Sequence, residues 1–178
     1  MTDRKVGPKA LALMHHFEDC ELVAYADPGT GGDPYTIGWG MTYYPDGRKV
    51  KRGDQITRAQ ADADFATILD RDFARIVDAA IGNAPTTSAQ FGAMVALAYN
   101  IGVGPRMWLP GMKKGFRQSW VLKMHIAGRH AEAAGAFGSW ITAGGKVKAG
   151  LVRRRNAEAA LYAGDRAALA RFTNGALA

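Results

Sequence analysis

Two acidic residues near the N-terminus, Glu18 and Asp27, have the types and settings that acid and base catalysis requires. Glu18 lies at the end of an apolar helical stretch, whereas Asp27 lies on a glycine-rich turn. Carboxyl groups in such unlike settings differ in pKa, so that one stays protonated while the other stays ionised. A protonated and an ionised carboxyl together are what cleavage of a glycosidic bond requires. The hydroxyl of Thr36, further along the same turn, is suited to hold a water molecule between them.

The elements that position these residues are predicted from local patterns. Four apolar residues repeat with the spacing of one helix face: Ala10, Leu13, Met14 and Phe17. They predict a helix from about Pro8 to Asp19, with Glu18 on its last turn. The segment from 27 to 53 is rich in Gly, Pro and Asp and contains strand-like runs at 35–39 and 49–51. It is typical of a small antiparallel sheet with a turn at residues 45–47.

Helices dominate the rest of the chain. Thr57 with Gln60, and Thr87 with Gln90, are capping-box patterns that open two helices. The first is predicted to run to about residue 81. The second reaches Ile101 and is apolar on nearly all sides, as expected for a buried central helix. Further helices are predicted at about 119–127, 129–138, 151–162 and 166–172.

These elements predict an α+β fold that is mostly α-helical. A chain of 178 residues is long enough for a single domain with a substantial core. We predict one domain over residues 1–178, with a small N-terminal lobe of β-hairpins at about 10–56. A long helix at about 57–81 joins it to a larger helical lobe at about 86–172, and a cleft between the lobes is expected.

Composition limits the classes of function. The net charge of +7 favours a polyanionic partner but does not identify it. The single cysteine, Cys20, excludes an internal disulfide and favours a reducing compartment during folding. The start of the chain has no signal-peptide pattern, and no apolar run is long enough to span a bilayer. The four histidines lack metal-binding spacing, so we expect no metal.

Several motifs in fixed order resemble the phage-type lysozymes, or endolysins. Glu18, Asp27 and Thr36 are followed by Tyr-Thr-Ile-Gly-Trp-Gly at 35–40. Similar segments continue downstream at 53–57, 98–104, 140–145 and 150–155, so the resemblance covers about residues 10–163. The joint order of these motifs is far more specific than any one of them.

The resemblance implies a lysozyme-like fold and hydrolysis of the β-1,4 bond between N-acetylmuramic acid and N-acetylglucosamine in peptidoglycan, without a cofactor. Carried over to this chain, Glu18 is the general acid, Asp27 is the partner carboxylate and Thr36 helps to place the attacking water. The outcome expected of the family is inversion, with the carboxyls separated by roughly 6.5–9.5 Å. The expected partner is a glycan strand bound by a monomer.

The resemblance also suggests a set of substrate contacts: Tyr35, Trp39, Tyr99, Asn100, Ser119, Trp140 and Arg155. Some of these residues also fit a purely structural role. Tyr99 and Asn100 end a helix where core packing is equally reasonable. Trp140 fits a core aromatic better than a sugar platform. The arginine run at 153–155 is compatible both with a solvated helix start and with one member that lines a cleft.

The chain departs from the family pattern at three places. The turn before Thr36 is about three residues longer than in the best-known members, so Asp33 and Thr30 compete with Asp27 and Thr36 for their roles. Asp27 is favoured because its spacing from Glu18 matches the family. Met41 stands where many members have a histidine. The basic, aromatic loop at 105–118 is longer than the common form.

Three rival functions are considered. Cys20 and His16, four positions apart, suggest a thiol peptidase, but Cys20 follows a helix end rather than opening a helix. The positive charge suggests nucleic-acid binding, yet no recognised motif supports a specific site. The segment 153–172 suggests contact with an anionic membrane or outer surface. If the resemblance holds, the protein is stored in the host cytoplasm and reaches the wall through a separate pore protein.

Overall fold

The structure is a computed structural model that describes residues 4–26 and 31–177. Helices dominate these residues and the strands are short, so the predicted α+β, mostly α-helical class is confirmed. The α-helices are α1 (Pro8–Phe17), α2 (Arg58–Ile68), α3 (Arg75–Ile81), α4 (Ser88–Ile101), α5 (Trp120–Ile126), α6 (His130–Ala136), α7 (Ala149–Ala163) and α8 (Arg166–Phe172). The strands are β1 (Glu21–Ala26), β2 (Tyr35–Gly38), β3 (Thr142–Ala143) and β4 (Lys146–Val147). In none of the described segments is a helix long and apolar enough to cross a membrane.

Packing divides the chain into two compact units. Residues 15–72 form the sheet unit, and residues 1–14 with 73–178 form the helical unit. The divisions fall within α1 and within the helical stretch that follows α2. The predicted lobe boundaries at about 56 and 86 remain predictions.

In the sheet unit, β1 is the strand that sequence analysis missed. It pairs antiparallel with β2, with Tyr25 opposite Thr36 and Ala26 opposite Tyr35. Its other side contacts residues 54–56 through two backbone hydrogen bonds of 2.9 and 3.0 Å. None of its side chains is fully buried, so the strand lacks the alternation of buried and exposed residues that would reveal it.

A tight turn follows β2 and explains the Gly-Trp-Gly motif. Ile37 and Met41 exchange both backbone hydrogen bonds at 2.9 Å. Gly38 and Gly40 have φ values of +60° and +92°, which side chains other than glycine rarely adopt. A Cβ on Gly38 would also lie 2.7 Å from the methyl group of Met41. The buried Met41 thus fills the inside of this turn.

The second predicted hairpin is less regular than expected. The turn at 45–47 is confirmed, because the Gly47 N–H donates to the Tyr44 carbonyl at 2.9 Å. The run at 49–51 is not a strand, and it is held by a single bridge between Tyr43 and Lys49 and by nearby backbone bonds. Asp46 accepts the Arg48 N–H at 2.9 Å, and such local bonding competes with a regular ladder.

The predicted helix from Thr57 to about residue 81 is confirmed as a helical stretch with an irregular middle. Thr57 and Gln60 cap it reciprocally, with bonds of 3.2 and 2.9 Å. Residues 69–74 form a π-helical segment between α2 and α3. A π-helical segment shifts the phase of the side chains. Phe73 within this segment and Ile76 just after it are half-buried.

The helical unit is built around α4. Its capping box is confirmed by bonds of 2.9 and 3.1 Å between Thr87 and Gln90. Residues 91–98 are all buried, as the apolar pattern predicts. Helix α1 packs closely on α4, because a Cβ on Gly92 would lie only 2.4 Å from that of Ala10. The later helices lie within two residues of their predicted limits, and the exposed hairpin of β3 and β4 is an addition.

Candidate active site

Glu18 lies directly beyond α1 rather than on its last turn. The helix ends at Phe17, so the predicted end at Asp19 was two residues too far. Glu18 is half-buried, and after burial and Glu21 its charge also contributes to the raised pKa of the Tyr25 phenol. Leu22 and Tyr25, which follow Glu18 on β1, are 39% and 41% exposed. The helix end and the strand β1 thus bring Glu18 close to Tyr25.

Thr36 reaches the same phenol from β2. The two residues face each other across the strand pair, and their hydroxyls are hydrogen-bonded. Burial, followed by nearby carboxylates, raises the pKa of Tyr25, whereas the bond with Thr36 lowers it. Each hydroxyl carries one proton and two lone pairs, so either one is able to donate in this bond. The Thr36 oxygen still offers lone pairs to a water molecule.

The bond between Tyr25 and Thr36 is the feature of this site that the sequence did not predict. Tyr25 is hydrogen-bonded to Thr36, and Glu18 is one of the carboxylates whose charge, after burial, raises the pKa of its phenol. Finding this bond required the strand β1 and its register, because only the pairing places Tyr25 opposite Thr36. Val23 and Tyr25, both of types favoured in strands, were the available signal.

The identity of the partner carboxylate stays a prediction. Asp27 lies outside the described residues, directly after Ala26, which pairs with Tyr35. The competing Asp33 is exposed and lines a cavity of about 420 Å³ together with Tyr43 and other residues of the irregular hairpin. Thr30 also lies outside the described residues. Tyr35, at the start of β2, is half-buried, and its contact with substrate stays a prediction.

Trp39 occupies the core of the sheet unit instead of a sugar-binding surface. It is 3% exposed, and its ring stacks on that of His15 at 3.8 Å between centroids and 5° between planes. The indole N–H donates to Asp62 at 2.7 Å, and the Arg58 guanidinium lies 4.1 Å from the ring centre. This placement corrects the predicted substrate contact, because so deeply buried a ring has no open face for a sugar.

The Trp39 stack has a positioning role. His15 lies on the last turn of α1, three residues before Glu18. Trp39 lies directly after β2, the strand that carries Thr36. Burial lowers the pKa of His15, as does Arg58, while Asp62 opposes them. A neutral imidazole is well suited to stacking in the core. The stack therefore joins the two segments that carry the candidate catalytic residues.

The remaining predicted contacts belong to the helical unit. Tyr99 is half-buried, with its ring edge-on to Phe73 at 5.1 Å, and Asn100 is exposed at the end of α4. Trp140 is half-buried directly after a turn of 3₁₀ helix. Their roles in substrate binding stay predictions.

Ser119 and Arg155 are corrections. Ser119 is 3% exposed and caps α5, where its hydroxyl accepts the Leu122 N–H at 3.2 Å. Arg155 is 1% exposed and donates to Glu158 at 2.7 Å, as the adjacent Arg154 does at 3.1 Å. Burial raises the pKa of Glu158, whereas the two guanidiniums act to lower it. Both side chains therefore have structural roles in the core instead of the predicted contacts with substrate.

These placements also bear on the rival functions. Only Arg153 of the arginine run is exposed, so the run does not form a basic surface for nucleic acid or membrane. Burial raises the pKa of Cys20, which disfavours the thiolate that a thiol peptidase requires. Among the described residues no group of three or more His, Cys, Asp or Glu side chains is placed to hold a metal ion.

Comparison with known proteins agrees with this architecture. The profile of the family described as phage lysozyme matches residues 15–158, which is most of the chain. An endolysin of Lactococcus phage c2 is 34% identical over 158 residues, covering 89% of this chain and 60% of the relative. The chain therefore spans only about 60% of that relative's length.

Solved structures share the fold. An endolysin from Escherichia coli O157:H7 phage FAHEc1 has a TM-score of 0.74 and 34% identity, over 89% of this chain and 92% of that one. The muramidase domain of SpmX from Asticaccaulis excentricus has a TM-score of 0.73 and 30% identity, over 89% and 97%. Since the family profile covers well over half of the sequence, the chain belongs to the phage lysozyme family.

Proposed function

We propose that the protein hydrolyses the β-1,4 bond between N-acetylmuramic acid and N-acetylglucosamine in bacterial peptidoglycan and so lyses the host cell. Membership of the phage lysozyme family supports this reaction, as do relatives named as an endolysin and a muramidase. The observation that carries the proposal is that one compact unit holds Glu18 at the end of α1 and Thr36 on β2, where Thr36 faces Tyr25 of the strand that follows Glu18. This hydrolysis requires a general acid and a carboxylate base. Glu18 supplies the acid, and the Thr36 hydroxyl is placed to hold the water on which the base acts.

In the proposed mechanism Glu18 protonates the oxygen of the leaving sugar. Thr36, which is hydrogen-bonded to Tyr25, accepts a hydrogen bond from the attacking water through its oxygen. The bond with Tyr25 holds the Thr36 hydroxyl in place, so the water is oriented for attack on the anomeric carbon. A carboxylate on the turn before β2 takes the proton from that water.

Asp27 is the proposed base, with Asp33 as the alternative. We expect inversion at the anomeric carbon, which needs a water between the two carboxyl groups at a separation of roughly 6.5–9.5 Å. Comparison of Asp27→Asn with Asp33→Asn separates the two choices. The variant of the true base should lose wall hydrolysis, and the other should retain it.

The central test replaces Glu18 by Gln, which keeps the shape but cannot protonate a leaving group. We expect hydrolysis of purified peptidoglycan to fall by about 10²- to 10⁴-fold, the usual contribution of a general acid. Asp19→Asn is the matched control, because Asp19 is the exposed neighbouring carboxylate. Mass spectrometry of the wild-type digest should show reducing muramic-acid ends. Undiminished hydrolysis by a folded Glu18→Gln protein would contradict the proposal.

The finer aspects of partner and location follow from the same proposal. The protein acts as a monomer on a glycan strand, is held in the host cytoplasm after synthesis and reaches the wall through a separate pore protein. Expression in a bacterial host with and without a pore-forming partner tests the route. Rapid lysis by the protein alone would contradict it.

A further inference from the structure

A loop of the helical unit carries a concentration of exposed apolar side chains. It follows α4, and its tip comprises residues 106–114. The exposed fractions are 75% for Met107, 37% for Trp108, 50% for Leu109 and 45% for Met112. Single exposed apolar residues are common on protein surfaces, but four within six positions form a patch of the kind that marks an interaction site.

The base of this loop is closed by hydrogen bonds. The N–H of Phe116 donates to the Gly102 carbonyl at 2.9 Å, and that of Arg117 donates to the Val103 carbonyl at 3.0 Å. The two sides approach so closely that a Cβ on Gly115 would lie 2.4 Å from the backbone nitrogen of Gly104. The tip is therefore held on a defined base, and its exposed side chains are presented together.

The tip is also locally cationic. Arg106 precedes the apolar residues, and Lys113 and Lys114 follow them, all three exposed. The sequence has no acidic residue between Asp78 and Glu132. An apolar tip between exposed cations complements a bilayer of anionic lipid, in which hydrocarbon lies beneath negatively charged headgroups.

We propose that residues 106–114 form a membrane-contact loop that binds the surface of an anionic lipid bilayer. Met107, Leu109 and Met112 enter the boundary between headgroups and acyl chains, while the cations bind lipid phosphates. Trp108 lies at the same level, since indole rings prefer the interface between water and lipid.

The contacts of Trp108 favour a bilayer over nucleic acid or a glycan strand. Those ligands stack on open aromatic faces, but the Lys114 ammonium lies over this ring at 5.0 Å from its centre. The indole N–H already donates to the Met112 carbonyl at 2.9 Å. The most exposed side chains, Met107 and Leu109, have neither an aromatic face nor a hydrogen-bonding group for a base or a sugar. Hydrocarbon is the partner that matches them.

The test measures binding of the full chain to sucrose-loaded vesicles by sedimentation. One set of vesicles contains phosphatidylcholine alone, and the other contains equal parts of phosphatidylcholine and phosphatidylglycerol. The wild type should bind the anionic set. M107S/L109S/M112S, which keeps every charge, should bind it about tenfold more weakly. K113Q/K114Q should also bind it about tenfold more weakly, because each lysine contributes attraction near an anionic surface.

Val147→Ser is the matched control, since Val147 is 61% exposed but lies on the hairpin of β3 and β4. Its vesicle binding should equal that of the wild type, and urea unfolding confirms that all variants fold. The proposal is overturned if the triple variant binds anionic vesicles as tightly as the wild type. It is equally overturned if the triple substitution weakens binding to DNA or to purified peptidoglycan but not to vesicles. Vesicle binding needs no hydrolysis, so failure here is distinct from failure of the proposed function.

Discussion

The hydrogen bonds around the buried His125 form a chain in which each group donates to the next. The Thr86 hydroxyl donates to the Ala84 carbonyl at 2.7 Å, so its oxygen must accept from His125 Nε2 at 2.8 Å. In a neutral His125 the proton is on Nε2, so Nδ1 accepts from the Tyr162 hydroxyl at 2.6 Å. The Tyr162 oxygen in turn accepts from His130 Nδ1 at 3.1 Å. Protonation of His125 would place a second donor at Nδ1, and the Tyr162 hydroxyl could then no longer donate to this ring.

The same surroundings oppose protonation of His125 electrostatically. Burial lowers the pKa of His125 to about 4, helped by His130 and Arg4, and burial raises the pKa of Tyr162 to about 12. An unfolded histidine titrates near 6.5. Between pH 6.5 and pH 4 the unfolded chain therefore binds more protons than the folded one. The contribution of His125 to the free energy of unfolding is therefore fully present above pH 6.5 and is lost as the pH falls toward 4.

We expect His125→Gln to make stability less dependent on pH. The wild type should lose about 2 kcal/mol of unfolding free energy through His125 between pH 7 and pH 4.5. A Gln amide can donate to Thr86 and accept from Tyr162 but does not titrate. The unfolding free energy of His125→Gln should therefore change less steeply with pH. Urea midpoints at several pH values measure the slope. The wild type, measured over the same pH range, is the reference, and an unchanged slope in His125→Gln would contradict the assignment.

At the scale of elements, the contact between α1 and α4 depends on a missing side chain. Alanine is normally favoured over glycine in a helix by about 1 kcal/mol. At Gly92 the added methyl group would meet Ala10 at 2.4 Å, well inside van der Waals contact. Steric repulsion should therefore exceed the gain in helix propensity.

We expect Gly92→Ala to lower the free energy of unfolding by about 1–3 kcal/mol, the usual cost of overpacking. Gly135→Ala is the matched control, since Gly135 lies in α6 and a methyl group added there would have no heavy atom within 4 Å. That variant should be as stable as the wild type or more stable. Denaturant unfolding measures both. A stabilised Gly92→Ala protein would mean that α1 can move away from α4 at little cost.

Elements were predictable to the extent that their signals are local. The capping boxes at Thr57 and Thr87 satisfy backbone groups within the same turn, and both helices begin where predicted. The strand β1 gave no comparable signal because its side chains are not fully buried. The π-helical segment at 69–74 was likewise unpredictable, because a regular helical period assumes a constant number of residues per turn.

At the scale of the whole molecule, the net charge of +7 predicts a salt-dependent action on anionic walls. Between Asp78 and Glu132 the positive residues have no acidic neighbour in the sequence to offset them. Attraction between exposed charges weakens as the Debye length shrinks from about 10 Å at 0.1 M salt to about 3 Å at 1 M.

We expect hydrolysis of an insoluble anionic wall to fall by about tenfold between roughly 0.05 and 0.5 M salt. Hydrolysis of a neutral, soluble glycan oligosaccharide should change little over the same range, because long-range attraction does not assist its binding. Turbidity loss measures the first and release of reducing ends measures the second. An equal effect of salt on both substrates would show that salt acts on the folded site rather than on association.

The sequence by itself determined the helices, their caps and the order of Glu18, Thr36 and the glycine turn. Each of these rests on residues close together in the chain, where hydrogen bonding and steric limits act locally. Tertiary structure alone decided which side chains are available for function. Trp39, Ser119 and Arg155 have types suited to binding a sugar, yet all three are buried in the folded protein. Tyr25 acquired its place beside Thr36 only through strand pairing, because register is set between segments and not within one.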